Sequence, residues 1–247
     1  MKNLRNSIIL GIILISQMTV AQTKELVKSF NKVIISPHIE TTFVQGNEDS
    51  VTILENTLSD DKVNIEVNGG TLHVYLDDAK TTTKHKKVVR NGMKMKVPIY
   101  KGKVLTILVT YKHIDKLSLR GEENTVCESR IDVEHFKLKM YGDGEVTFND
   151  VNFQEFDVDI FGEGLLVIKT GKTGHQRITS YGASEVNLLE VNNKTSKLKA
   201  YGEAEFRVNA SDRIKFTAYG EAELYYKGTA EVNQGLSFGE TQINRID

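Results

Sequence analysis

Four sets of residues in this sequence have types and spacings that could do chemistry. The first is a row of carboxylates, Asp143, Glu163, Glu203, Glu221 and Glu240, each directly after a glycine, with Glu145, Glu185, Glu205 and Glu223 two positions further on. Carboxylates set side by side repel unless salt and water screen them or a divalent cation bridges them, so the row reads either as a calcium-holding face or as a solvated one. None of its copies has the spaced acidic loop of a dedicated calcium motif, and no metal is assigned to it. The second set is aromatic: Tyr141, Phe161, Tyr181, Tyr201, Tyr219 and Phe238 stand just before the same glycines. A line of rings flanked by carboxylates is a surface on which sugar rings stack, and equally a set of side chains that can stack on one another.

The third set is basic. Between Ala79 and Ile114 there are ten lysine and arginine residues and no acid, among them Lys84, Lys86, Lys87 and Arg90. Such a patch suits lipopolysaccharide or another polyanion, or else is a lysine-rich loop in solvent. The fourth set is the six histidines, His38, His73, His85, His113, His135 and His175, scattered without metal-ligand spacing and with no serine or cysteine nucleophile motif beside them. The expectation is therefore a protein that is not an enzyme and carries no cofactor.

The elements that position these residues follow from a repeat. Glycines stand at 121, 142, 162, 182, 202, 220 and 239, in steps of 21, 20, 20, 20, 18 and 19. The fourth residue before each of the first six is Leu117, Leu138, Val158, Ile178, Leu198 and Phe216, and polar residues alternate with these. Apolar residues also alternate after the bend, as in Val146 and Phe148 or Phe206 and Val208. Period-two alternation on both sides of a glycine is two strands joined at a bend. An antiparallel meander would need hairpin turns that most junctions lack, and gives no reason for the same aromatic, glycine and acid to recur. Stacking of like positions about 4.8 Å apart gives that reason. The prediction is an all-β fold, a single-stranded parallel β-helix, right-handed, with about 20 residues per rung. Regular repeats are expected over 120–247, with irregular strands and the basic loop over 22–119, and Asn68-Gly69-Gly70 marks a tight turn.

Composition and the N-terminus bound the function. In 247 residues the formal net charge is -1, so gross charge selects neither nucleic acid nor an acidic partner. The one cysteine, Cys127, excludes an internal disulfide and reads as a small buried hydrophobe. Lys2 and Arg5 precede an apolar run from Ile8 to Ile15, then Thr19-Val20-Ala21. That is the pattern of a cleaved secretory signal at 1–21, too short to span a bilayer, with no cysteine after it to carry a lipid. The mature chain, 22–247, is expected as one exported β-solenoid domain, periplasmic, outer-membrane-associated or extracellular.

The chain resembles the bacterial family known as putative auto-transporter adhesin, head GIN domain, common in the Bacteroidetes. The residues that carry the resemblance are Phe30-Asn31-Lys32-Val33-Ile34-Ile35 leading to Val44-Gln45-Gly46, then Val51-Thr52-Ile53, Gly70-Thr71-Leu72-His73-Val74, and the strand Leu105 to Thr110. Leu117-Ser118-Leu119-Arg120-Gly121 and the glycine bends continue it, here as Gly-Asp-Gly, Gly-Glu-Gly and Gly-Glu-Ala. The resemblance implies a β-helical fold, an envelope or extracellular location and adhesion without catalysis, and no translocator barrel is expected after the last repeat. The function expected is a non-catalytic envelope or surface protein, an adhesin or binding module for a glycan or partner protein. The alternatives are a carbohydrate-active enzyme on a β-helix and a purely structural envelope protein.

Overall fold

The computed structural model describes residues 23–246, and the expected signal at 1–21 lies outside the described residues. The N-terminal half contains β1 (Thr23–Leu26), β2 (Lys32–Ile35), β3 (Ile39–Gln45), β4 (Ser50–Asn56), β5 (Val63–Asn68), β6 (Thr71–Leu76), β7 (His85–Arg90), β8 (Met93–Pro98) and β9 (Leu105–Tyr111). The repeats contain β10 (Lys116–Arg120), β11 (Thr125–Cys127), β12 (Ile131–Tyr141), β13 (Glu145–Phe148), β14 (Val151–Phe161), β15 (Leu165–Ile168) and β16 (Gly171–Tyr181). They end with β17 (Ser184–Tyr201), β18 (Ala204–Tyr219), β19 (Ala222–Lys227), β20 (Glu231–Gln234) and β21 (Thr241–Arg245).

The architecture is a parallel β-solenoid with rungs about 20 residues apart. Strands before each bend stack in one column and strands after it in another. Thus β12, β14 and β16 pair in parallel with Tyr141, Phe161 and Tyr181 in register, and β13 pairs with β15. β17 and β18 each span the end of one rung and the start of the next, pairing Ser184 with Ala204 and Tyr201 with Tyr219. The alternation expected from sequence buries Phe136, Leu138 and Met140 of β12 and turns Lys137 and Lys139 outward. One apolar core runs the length of the stack, with Phe136 and Phe153 stacked at 4.8 Å between centroids. Beside the bends the interior narrows, and Ser180, Ala200 and Ala218 are fully buried there.

Glycine is required at the bend. Gly182 has φ +131°, and a Cβ there would lie 2.4 Å from the carbonyl oxygen of Gly162 in the rung before. Its own N–H donates to the Tyr201 carbonyl of the following rung at 3.0 Å, so the bend is tied to both neighbouring rungs. The short rung of 18 residues is accommodated away from the bend. Leu188 pairs with Val208 but Asn192 with Asn209, and Asn193 with Ala210 but Thr195 with Arg213. Surplus residues bulge out at that corner while the aromatic–glycine corner stays in register.

In the N-terminal half, chain order and spatial order part company. β2 lies between β6 and β10, and β3 between β9 and β11, so the rung made first in sequence is the second in space. The rung outside it, β6 and β9, is closed off by antiparallel strands: β5 on β6, β4 on β9 and β1 on β4. The turn Asn68-Gly69-Gly70 joins β5 to β6 as expected, with φ of +56° and +71° at its glycines. Residues 77–104 leave this rung at the corner where later rungs place their glycine. The stretch expected to be a lysine-rich loop there is in part an antiparallel hairpin, β7–β8, turning at Asn91-Gly92 with φ +50° and +76°. Asn-Gly is the turn pair whose backbone twist suits two flanking strands.

Candidate functional site

Register decides the geometry of the aromatic row. Because the rings occupy equivalent positions on stacked rungs, they lie face to face: centroids are 5.0 Å apart for Tyr141–Phe161, 4.9 Å for Phe161–Tyr181, 5.0 Å for Tyr181–Tyr201 and 5.1 Å for Tyr201–Tyr219, with planes within 6°. Phe238 continues the column at 5.8 Å and 24°. Mutual stacking, one of the two readings open from sequence, is what the rings do. From Phe161 to Tyr219 both faces of each ring are covered by its neighbours, and ring edges and tyrosine hydroxyls meet solvent, with Tyr181 42% exposed. The row is therefore a ribbed edge rather than a platform, because a side chain that extends along its rung presents its plane to the next rung.

Beside this column lies an open groove of about 520 Å³ lined by Glu163, Glu185, Glu203, Glu205, Glu221, Glu223 and Glu240, with Ala183, Ala204 and Ala222 between them. Rung stacking brings together two files of carboxylates from rungs 18 to 20 residues apart in sequence. Part of the charge is compensated: Arg207 pairs with Glu205 and lies over the Tyr225 ring, whose hydroxyl donates to Glu223 at 2.7 Å. That hydrogen bond is the main reason the Tyr225 phenol is harder to ionise than usual. Glu163, Glu203, Glu221 and Glu240 have no ion-pair partner among the described residues. Asp143 stands apart from the groove and accepts the Glu163 backbone N–H at 3.0 Å, a structural use. Among the described residues no group of three or more His, Cys, Asp or Glu is close enough to hold a metal ion.

The basic residues divide. Lys84 donates to Asp78 at 2.8 Å, which pushes its pKa up, while Lys80 pairs with Glu66 and Lys103 with Glu40. Lys86, Lys87, Arg90, Lys94 and Lys96 on the hairpin have no ion-pair partner among the described residues. Cross-strand pairing puts Lys87, Lys96, Lys94 and Val89 on one face, and Val88, Met95 and Met93 with Lys86 and Arg90 on the other. Sequence reasoning did not pick out Met93 and Met95, which are exposed on the same hairpin as these cations.

Groups with a latent reactivity are occupied. Cys127 is buried and free, and loss of solvation pushes its thiol far above the range in which it ionises. His38 is held by the Gly102 carbonyl at 2.7 Å and the Thr83 hydroxyl at 2.6 Å, His73 contacts the Ser36 hydroxyl at 3.0 Å, and His175 contacts Thr195 at 2.7 Å. These histidines lie on different rungs. A second recess, of about 550 Å³, opens where the 77–104 excursion meets the first ring of the column, lined by Tyr100, Lys101, Arg120 and Tyr141 among others. Its residues come from five separate stretches and leave no motif in the sequence.

The family described as "Putative auto-transporter adhesin, head GIN domain" matches residues 29–230. The chain belongs to that family. Known structures agree in fold: a putative adhesin from Bacteroides fragilis superposes with a TM-score of 0.72 at 18% identity, covering 92% of this chain and 96% of that one. A putative adhesin from Parabacteroides merdae gives 0.66 at 16% identity, with the same coverages of 92% and 96%. A putative lipid binding protein from Parabacteroides distasonis gives 0.65 at 17% identity, again over 92% and 96%. At such identities the likeness is one of fold alone. No curated protein matches the chain. No helix among the described residues is long and apolar enough to cross a membrane. The match takes in both the N-terminal strands and the glycine-bend repeats as far as residue 230.

Proposed function

We propose that this member of the adhesin family is exported with loss of residues 1–21, and that residues 22–247 form one solenoid domain that binds a surface glycan or partner protein without catalysis. The observation that carries the reading is the register of the repeats, which sets six ring edges and an open file of unpaired carboxylates side by side along one corner. A periodic display suits a periodic ligand. With ring faces covered, a ligand meets the hydroxyls of Tyr181, Tyr201 and Tyr219 and the carboxylates of Glu163, Glu203 and Glu221, which favours hydroxyl-rich or amine-bearing partners. The buried thiol and the separately bonded histidines support a non-catalytic role. The five unpaired cations of the β7–β8 hairpin support a second contact with a polyanion, in which Lys86, Lys87 and Arg90 would take part and Lys84, tied to Asp78, would contribute less.

The test is a glycan array and envelope-component screen with the mature chain, repeated with the triple variant Tyr181→Phe, Tyr201→Phe, Tyr219→Phe. Phenylalanine already occupies the column at 161, so the stack survives and only hydroxyls are lost. Binding reduced tenfold or more at an unchanged melting temperature is expected. Unaltered binding by this variant and by Glu203→Gln with Glu221→Gln would remove the corner from the function, and turnover of a polysaccharide would refute the non-catalytic reading.

A further inference from the structure

The column of rings has two ends, and its N-terminal end is unlike the rest. One face of Tyr141 is covered by Phe161, but no ring among the described residues covers the other; there the Arg120 guanidinium lies 5.8 Å from the ring centroid. This free end forms one wall of the recess of about 550 Å³, within the range of roughly 300–1,000 Å³ in which small ligands are held. Tyr100, edge-on to His38 at 5.8 Å, forms another. Burial and the nearby Asp77 and Asp78 keep its phenol protonated, so it remains a hydrogen-bond donor.

The charged groups of the recess are unequally committed. Arg120 reaches only the Lys80 carbonyl and the Thr81 hydroxyl, each at 3.4 Å, and pairs with no carboxylate among the described residues. A guanidinium carries five N–H donors, so most of its capacity is unspent. Lys101 is exposed on the rim, likewise without an ion-pair partner among the described residues. Of the two acids present, Glu123 is spent inside the fold, accepting the backbone N–H groups of His38 at 2.8 Å and Glu122 at 3.1 Å. Among the lining residues Glu122 is the remaining negative charge, and the nearby Asp77 and Asp78 are paired with Lys62 and Lys84. The same excursion that walls the recess carries the hairpin with its five unpaired cations, which raise the local potential toward positive.

We propose that this recess binds an anionic sugar residue: Tyr141 and Tyr100 take the apolar C–H surface of the ring, and Arg120 with Lys101 takes its carboxylate or phosphate. Two N–H donors of a guanidinium match such a group in a forked pair of hydrogen bonds. The acidic groove further along the solenoid repels the same ligand, so the two ends of one corner differ in preference. The inference rests on the reading of the chain as a binding protein but on residues that the repeat-corner test does not touch.

Calorimetric titration of the mature chain with trigalacturonate, its neutral methyl ester, glucose 6-phosphate and inorganic phosphate tests it. The acidic sugars are expected to bind with an affinity that falls as salt rises, the methyl ester at least tenfold more weakly, and inorganic phosphate more weakly than glucose 6-phosphate because it offers nothing to the rings. Arg120→Gln should weaken the acidic sugars tenfold or more, with Lys101→Gln, on an exposed rim, as the second variant if the first melts low. The column variant Tyr181→Phe, Tyr201→Phe, Tyr219→Phe should bind them as the parent does. Failure of both acidic sugars to bind at millimolar concentration, equal binding of the methyl ester, or parent-like binding by both cation variants overturns the proposal. So does binding that is lost with Lys94→Gln and Lys96→Gln but kept with Arg120→Gln, which would place the anion on the hairpin.

Discussion

The two halves of the solenoid reach the same stack by different means. From β12 onward each rung lies on the one before it in sequence, and each bend glycine from Gly142 packs against the glycine 18 to 21 positions earlier. In the N-terminal half, β2 and β3 are enclosed by strands that come later, and specific side chains fasten what repetition fastens elsewhere. Asp49, 5% exposed, accepts from the Ser29 hydroxyl at 2.9 Å and from the Lys112 backbone N–H at 2.9 Å, binding three distant segments. At the bend beside Gly121 the chain uses Pro37-His38, with His38 at φ +73° and its N–H satisfied by Glu123. Identical neighbours make a stack tolerant of length errors, as the 18-residue rung shows; non-identical neighbours need individually placed locks.

This contrast is most open to attack at the glycines. Gly182→Val places a side chain at φ +131° against the Gly162 carbonyl and should cost at least about 3 kcal/mol, which for a chain of this size lowers the melting temperature by roughly 6–12 °C. Gly92→Ala, in the hairpin at φ +76° with open space around it, should cost only about 1 kcal/mol, and that only locally. Equal effects in thermal denaturation would mean that the inter-rung contact is unimportant. The rings come next. Tyr201→Ala removes two stacked pairs and should destabilise by about 1–3 kcal/mol, while Tyr201→Phe should change denaturant stability by less than about 0.5 kcal/mol.

On the N-terminal side, Asp49→Ala strands a buried backbone N–H and a hydroxyl and should cost about 1–3 kcal/mol. Hydrogen exchange should show the loss concentrated in β1, β4 and β9, with β14 to β18 still protected; uniform loss would show one cooperative unit instead. The smallest effect is one of pH. His73 is half-buried, and desolvation, reinforced by the charges of Lys80 and Arg120 and opposed by Glu66, lowers its pKa below the ordinary value of about 6.5. The unfolded chain then takes the proton more readily than the folded one. This contribution to stability is complete above about pH 6.5 and is lost as pH falls through the lowered folded value, and His73→Gln should flatten that part of the stability profile. A slope unchanged by the substitution would exclude His73 as its source.

What was legible in the sequence follows the same division. The period was visible from Gly121 to Gly239 because chain order there is spatial order, so each residue's stacking neighbour is found by counting. No counting places β2 between β6 and β10, since nothing local to Lys32–Ile35 encodes which strands flank it. The hairpin did leave a signal: Asn91-Gly92 between Val88-Val89 and Met93–Val97 is a turn between strand-like runs, masked by the surrounding lysines. The aromatic column was legible as a row but not as an edge, because whether faces or edges meet solvent depends on the side-chain direction along the rung. The recess at Tyr100, Arg120 and Tyr141 was not legible at all, being assembled by the excursion at 77–104.

The enclosed rung also sets a timetable. With the chain supplied from its N-terminus, β2 and β3 come early but have no parallel partner until β6 and β9 arrive on one side and β10 and β11 on the other, near residue 127. Loop closure over some 40 to 80 residues must therefore precede the first stable rung, and contacts so distant in sequence form slowly. Every later repeat adds to a finished template by closing about 20 residues. Extension is thus quick once started, and roughly half of the chain must be available before the β2–β3 rung has both of its parallel neighbours.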